Sequence, residues 1–214
     1  MKAPSTSRTG GRRVALVTGG ADRIGAAVAE RLAAEGWRVV IHYRSSHKQA
    51  LATQRRIERS GGTAALLQAD LADRAQRARV VASAAMPFGP LTLLVNNASI
   101  FEKDSVRDLD EGLWDAHFAI HAEAPAFLSR DFAAQLPRGS GNIINIIDER
   151  VLHLSPANFS YTLSKAVLWT MTTTLAQSLA PRIRVNAIGP GPTIIEKNQT
   201  IASFAEAQRR LPLQ

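Results

Sequence analysis

The chain has 214 residues, 45% hydrophobic and 21% charged, which suits one sizeable core and excludes a collagen-like, disordered or coiled-coil body. It holds no cysteine, so disulfide scaffolds, thiolate metal sites and cysteine nucleophiles are excluded and a reducing, cytoplasmic setting is expected. Its 26 basic and 18 acidic side chains leave a net charge of +8, yet Lys2, Arg8, Arg12 and Arg13 all precede the first acid, Asp22. Half of the surplus thus lies in residues 1–13, of which residues 1–12 form a polar leader expected to be disordered. Outside it no stripe of basic and aromatic residues suggests nucleic-acid binding, and no run approaches the ~20 apolar residues of a membrane span.

From Arg13 onward two periodicities alternate. Apolar, largely β-branched runs at Val14–Val17, Arg38–Ile41, Leu91–Val95, Asn142–Ile147 and Ile183–Ile188 predict strands buried on both faces, and Ala64–Leu67 predicts a weaker one. Ala-rich segments with helical spacing over 23–35, 47–60, 73–86, 110–135 and 158–180 lie between them, several closed by Gly36, Gly61-Gly62, Pro87 or Pro181. Such alternation predicts an α/β fold, a three-layer α/β/α sandwich around a parallel doubly wound sheet. Neither a linker nor a repeat divides residues 13–214, which are expected to form one domain.

The first strand runs through Thr18-Gly19-Gly20-Ala21-Asp22-Arg23-Ile24-Gly25 directly into a helix. Strand, glycine-rich turn and helix is the setting in which backbone N–H groups and a helix N-terminus hold a pyrophosphate. The spacing resembles the Thr-Gly-x-x-x-Gly-x-Gly loop of the short-chain dehydrogenase/reductase family, with Arg23 at its middle glycine, as in the pteridine reductases of that family. The resemblance implies cofactor contacts from Thr18, Gly19, Arg23, Ile24 and Gly25, with Arg23 also reaching substrate. No acid stands within Ile41–Ser46 to bind a ribose 2′-hydroxyl, whereas Tyr43, Arg44 and Ser45 offer donors and charge for a 2′-phosphate, so NADPH is expected over NADH. Asp70-Leu71 match the adenine-contacting acid of the family, and Asn97-Ala98-Ser99 its Asn-Ala-Gly motif, with Ser99 in place of the glycine.

Tyr161 and Lys165 lie four residues apart in a helical stretch and so share a face. An ammonium beside a phenol stabilises the phenolate, and the pair can pass a proton while hydride reduces a carbonyl or imine. The family's catalytic serine falls on Asp148, as it does in pteridine reductases, where the carboxylate can accept from the 2-amino-4-oxo edge of a pterin. Phe101 matches the aromatic ring that stacks on the pterin in that branch. The family's relay asparagine falls on His121, which resembles the dihydromonapterin reductases here and could hold a water in a proton relay through Lys165. Taken singly, Arg23 could be a solvated arginine, Phe101 a core plug and His121 a satisfied core histidine.

Pro190, Gly191 and Thr193 match the segment that faces the nicotinamide, and residues 191–214 the substrate loop, with a helix expected over Asn198–Arg210. His42, His47, His117 and His153 lack metal-ligand spacing, so no metal is expected. The expected function is NADPH-dependent reduction of a dihydropterin, with Arg23, Ser99, Phe101, Asp148 and Tyr161 at the substrate and Asp148, Tyr161, Lys165 and His121 catalytic. A reductase of another carbonyl compound and a nucleotide-binding module without turnover are the rivals. The resemblance also implies a homo-dimer or homo-tetramer, and a further helix and a seventh, edge strand that are expected to be missing from a sequence ending at Gln214.

Overall fold

The computed structural model describes residues 13–136, 138–154, 156–193, 200–202 and 209. The leader 1–12 lies outside them, as does most of the segment expected to form the substrate-loop helix.

Six strands form one sheet in which every pairing is parallel: β1 (Val14–Val17), β2 (Arg38–Tyr43), β3 (Thr63–Gln68), β4 (Leu93–Asn96), β5 (Gly141–Ile146) and β6 (Ile183–Ile188). Their order is β3-β2-β1-β4-β5-β6, so the winding reverses between β1 and β4. In such a sheet a ligand crevice opens beyond the carboxyl ends of the strands at that reversal. Side chains alternate across the sheet, and each face builds its own core. Leu16, Leu94, Leu128, Phe132 and Ile143 meet on one side, Val17, Ala29, Val39, Ile41 and Ile57 on the other.

The helices follow from apolar residues three or four positions apart. α1 (Arg23–Ala34) buries Ala26, Ala29 and Ala33, and α2 (His47–Arg59) buries Ala50, Thr53 and Ile57. The stretch 73–86, expected as one helix, divides into α3 (Arg74–Arg77) and α4 (Val80–Ala85). The stretch 110–135 contains α5 (Glu111–Phe118), a π-helical turn at Ala119–Glu123 and α6 (Ala124–Ala134). A cause lies in Pro125: without an N–H it cannot bond the carbonyl of His121, and Ala124 N–H reaches back five residues to Ala119 O. α7 (Phe159–Leu179) turns Tyr161, Ser164, Lys165 and Leu168 inward and leaves Leu163, Val167 and Trp169 partly exposed.

Burial on both faces holds for β1 and β4 but not for the outer strands. At β6, Ile183 and Val185 are buried while Arg184, Asn186 and Ile188 are exposed, because α7 covers the face that carries the first two and the opposite face is open among the described residues. No described helix is long and apolar enough to cross a membrane.

Candidate active site

The turn after β1 is clamped from β4. Thr18 Oγ1 donates to Val95 O at 3.2 Å and accepts from the backbone N–H groups of Asn97 and Ala98 at 2.9 and 3.0 Å. Asn97 Nδ2 returns two bonds, to Thr18 O at 2.9 Å and Gly19 O at 3.1 Å. Two glycines make this possible. Gly19 has φ +61, and a Cβ on Gly25 would overlap Gly19 O and lie 2.6 Å from Asn97 Nδ2. Arg23 also has a positive φ, 53, which explains why related loops use glycine there, and its N–H is held by the Asp22 carboxylate at 2.8 Å.

His42 supports the same turn and escaped the sequence reading as a contributor to the site. Its Nδ1 accepts from Gly19 N–H at 3.1 Å, which leaves Nε2–H to donate to Ala69 O at 3.0 Å. Burial pushes this imidazole down to about 4, outweighing the Ala69 carbonyl and the Asp70 charge, which act the other way. A histidine inside an apolar strand carries no spacing signal that it will meet a loop amide.

Arg44 and Ser45 are exposed just beyond β2, whereas Tyr43 is buried with its hydroxyl on His47 Nδ1 at 2.8 Å. Asp70 is half-buried with Oδ1 accepting from Ala72 N–H, and Leu71 is buried in the core. With the open turn, the N-terminus of α1 and an exposed cation beyond β2, these residues fit a dinucleotide with a phosphate on its ribose.

The second half of the site gathers beyond β4 and β5. Tyr161, in the first turn of α7, donates its hydroxyl to Asp148 Oδ2 at 2.7 Å. Asp148 also accepts from Arg150 N–H at 2.9 Å, and the Arg150 guanidinium lies 3.3 Å away and 5.1 Å from the centre of the Phe101 ring. Phe101 meets Tyr161 edge to face, centroids 4.7 Å apart. Gly189 and Gly191 pass beside Asp148 and Glu149, and Thr193 Oγ1 donates to Gly191 O at 2.8 Å. The contacts of these residues thus gather at the carboxyl ends of β1, β4 and β5.

Two expectations change. Lys165 Nζ does not bond the Tyr161 hydroxyl; it donates to Ile146 O at 2.8 Å and lies 5.7 Å from the centre of the phenol ring. Burial together with the Asp148 charge and hydrogen bond holds the phenol proton more tightly than in water, so the net shift is upward, while burial brings Lys165 down to about 8. His121 does not hold a position open for a water between itself and Lys165. Its Nδ1 bonds Ser164 Oγ at 2.8 Å and its Nε2 bonds Ser99 Oγ at 2.9 Å. Since Ser164 donates its own proton to Tyr161 O, Nδ1 carries the imidazole proton and Nε2 accepts. Burial, then the Lys165 cation and His117, keep this ring well below its ordinary value, hence neutral.

Comparison with known proteins shows the family and the fold. The family described as short chain dehydrogenase matches residues 13–205. An uncharacterized oxidoreductase of Methylorubrum extorquens is 35% identical over 189 residues, 88% of this chain and 76% of the relative. The human dehydrogenase/reductase SDR family member 4 is 35% identical, with 84% of this chain and 65% of that protein aligned. Among solved structures, FolM alternative dihydrofolate reductase 1 of Brucella canis, complexed with NADP, is 49% identical with a TM-score of 0.90, covering 94% of this chain and 80% of that one. A short chain dehydrogenase of Burkholderia cenocepacia, also complexed with NADP, is 39% identical with a TM-score of 0.85, covering 92% and 81%.

Proposed function

Since the chain belongs to the short-chain dehydrogenase/reductase family and is an oxidoreductase, we propose that it reduces a dihydropterin or related pteridine with NADPH. What carries the pteridine part is the Asp148–Tyr161 hydrogen bond beside Phe101, supported by the 49% identity to an alternative dihydrofolate reductase.

NADPH, when bound, supplies the hydride. Gly19, Arg23 and the first turn of α1 hold its phosphates, and Thr18, Ile24, Gly25, Asn97 and Ala98 shape the walls around it. Tyr43, Asp70 and Leu71 back its adenosine end, Arg44 and Ser45 take the 2′-phosphate, and Pro190, Gly191 and Thr193 border the nicotinamide. Phe101 offers a flat apolar face to a ring, and Arg23 and Ser99 supply polar contacts to the same substrate. Asp148 accepts from the paired N–H groups of an amidine-like edge, a task for which a serine hydroxyl has too few acceptor oxygens. Tyr161 delivers the proton that must accompany hydride, and its upward shift keeps it protonated at neutral pH. Lys165, at about 8, is able to exchange a proton near physiological pH, and His121 fixes Ser99.

The test is NADPH consumption with dihydrobiopterin and with a generic diketone. Tyr161→Phe is expected to lower both rates by roughly 100-fold or more. Asp148→Ser and Phe101→Ala are expected to lower kcat/KM for the pterin at least about tenfold and spare the diketone. Retention of pterin turnover in both of these variants would overturn the pteridine assignment and favour another carbonyl substrate.

A further inference from the structure

The first turn of α7 is not capped by its own chain neighbourhood. Asn158, at the N-cap position, has a left-handed backbone, φ 61, and makes no side-chain cap bond. The cap comes from Asp104, in the segment between β4 and α5. Both Asp104 carboxylate oxygens accept from Ser160 N–H at 3.1 Å, and Asp104 O accepts from Phe159 N–H at 3.2 Å. Asp104 is only 6% exposed, and a buried carboxylate is stable there because helix N-terminal amides point at it. A second tie reaches the same residue: Ser160 Oγ lies 2.6 Å from Nδ1 of the fully buried His117, on α5.

Ser160 immediately precedes Tyr161, and Asp104 lies three residues beyond Phe101. The segment that carries Ser99 and Phe101 is therefore fastened directly to the helix turn that carries the phenol. From this we infer that Asp104 is a positioning residue: it sets the distance between the Phe101 ring and the Tyr161 hydroxyl, and so places a bound ring against its proton donor. Small displacements at this joint would separate the two groups without disturbing the phosphate turn, which rests on Thr18, His42 and Asn97.

The inference rests on the proposed reductase activity, and the experiment separates the two. Asp104→Ala, Asp104→Asn and Tyr161→Phe are compared with wild type for kcat and KM with dihydrobiopterin, for NADPH affinity by fluorescence and for melting temperature. Asp104→Ala is expected to lower kcat roughly tenfold or more, with NADPH affinity within about twofold of wild type. Asp104→Asn, which keeps an oxygen able to accept from Ser160 N–H, is expected to recover kcat to within about threefold of wild type. A purely structural role would lower the melting temperature while leaving kcat of the folded protein unchanged, and that result overturns the inference. So does an Asp104→Asn variant no faster than Asp104→Ala. Should Asp104→Ala fail to fold, Asp104→Glu, longer by one methylene, takes its place with the same expected loss and the same overturning result. If Tyr161→Phe keeps turnover, the proposed function fails; if it loses turnover while Asp104→Ala keeps it, only the positioning role fails.

Discussion

At the scale of single residues, the histidine that ties β2 to the phosphate turn makes the fold sensitive to acid. An unfolded chain protonates His42 near 6.5, whereas the folded chain resists until about 4. Between those values the unfolded state binds the extra proton, so stability falls as pH drops through this window and is fully present above it. The full shift corresponds to roughly 3 kcal/mol. Urea denaturation at pH 7.0 and pH 5.0 is expected to show a larger loss for wild type than for His42→Gln, in which nothing titrates at that position; equal losses would remove His42 as the cause. Tyr161 and Lys165 were legible in the sequence because helical spacing alone puts them on one face. The bond from Tyr161 to Asp148 was not, since it depends on how a strand end meets the start of a helix, a tertiary fact. His42 and Asp104 stayed hidden for the same reason: each serves a backbone N–H that only the folded chain brings near.

At the scale of elements, α1 meets the sheet so closely that its third residue can only be glycine. Gly25→Ala would drive a methyl group into Gly19 O and Asn97 Nδ2, backbone on one side and a doubly bonded amide on the other, with neither able to yield cheaply. Overpacking of this kind costs typically 1–3 kcal/mol, and here it also opens the turn. The variant is expected to stay folded at 25 °C but to lose NADPH binding by at least about tenfold in a fluorescence titration; unchanged affinity would contradict the assigned role of the turn. Five of the six strands were plain in the sequence from β-branched runs, and β3 from a weaker one. The long helix read over 110–135 concealed the π turn, although Pro125 marks where a regular ladder must fail. The break between α3 and α4 was not visible in the spacing, and the one-sided burial of β6 was unreadable because an apolar run does not reveal which face of a strand a helix will cover.

At the scale of the whole molecule, the sheet order lays the glycine turn and the asparagine that clamps it on strands distant in sequence. β1 is flanked by β2 on one side and by β4 on the other, and the Thr18–Asn97 clamp joins residues 79 positions apart. Long-range parallel pairing of this kind closes slowly, since loop entropy must be overcome before the contacts form. The phosphate turn therefore acquires its shape late in folding. In refolding from urea, recovery of NADPH fluorescence is expected to follow the slowest phase, after helical circular dichroism has largely returned; simultaneous recovery would show that the turn forms locally. A ribosome making this chain would release the first strand, turn and helix well before Asn97 emerged, so the nascent protein carries a nucleotide loop that cannot yet grip a nucleotide. A grip on the cofactor through this turn thus waits until β4 has joined the sheet beside β1.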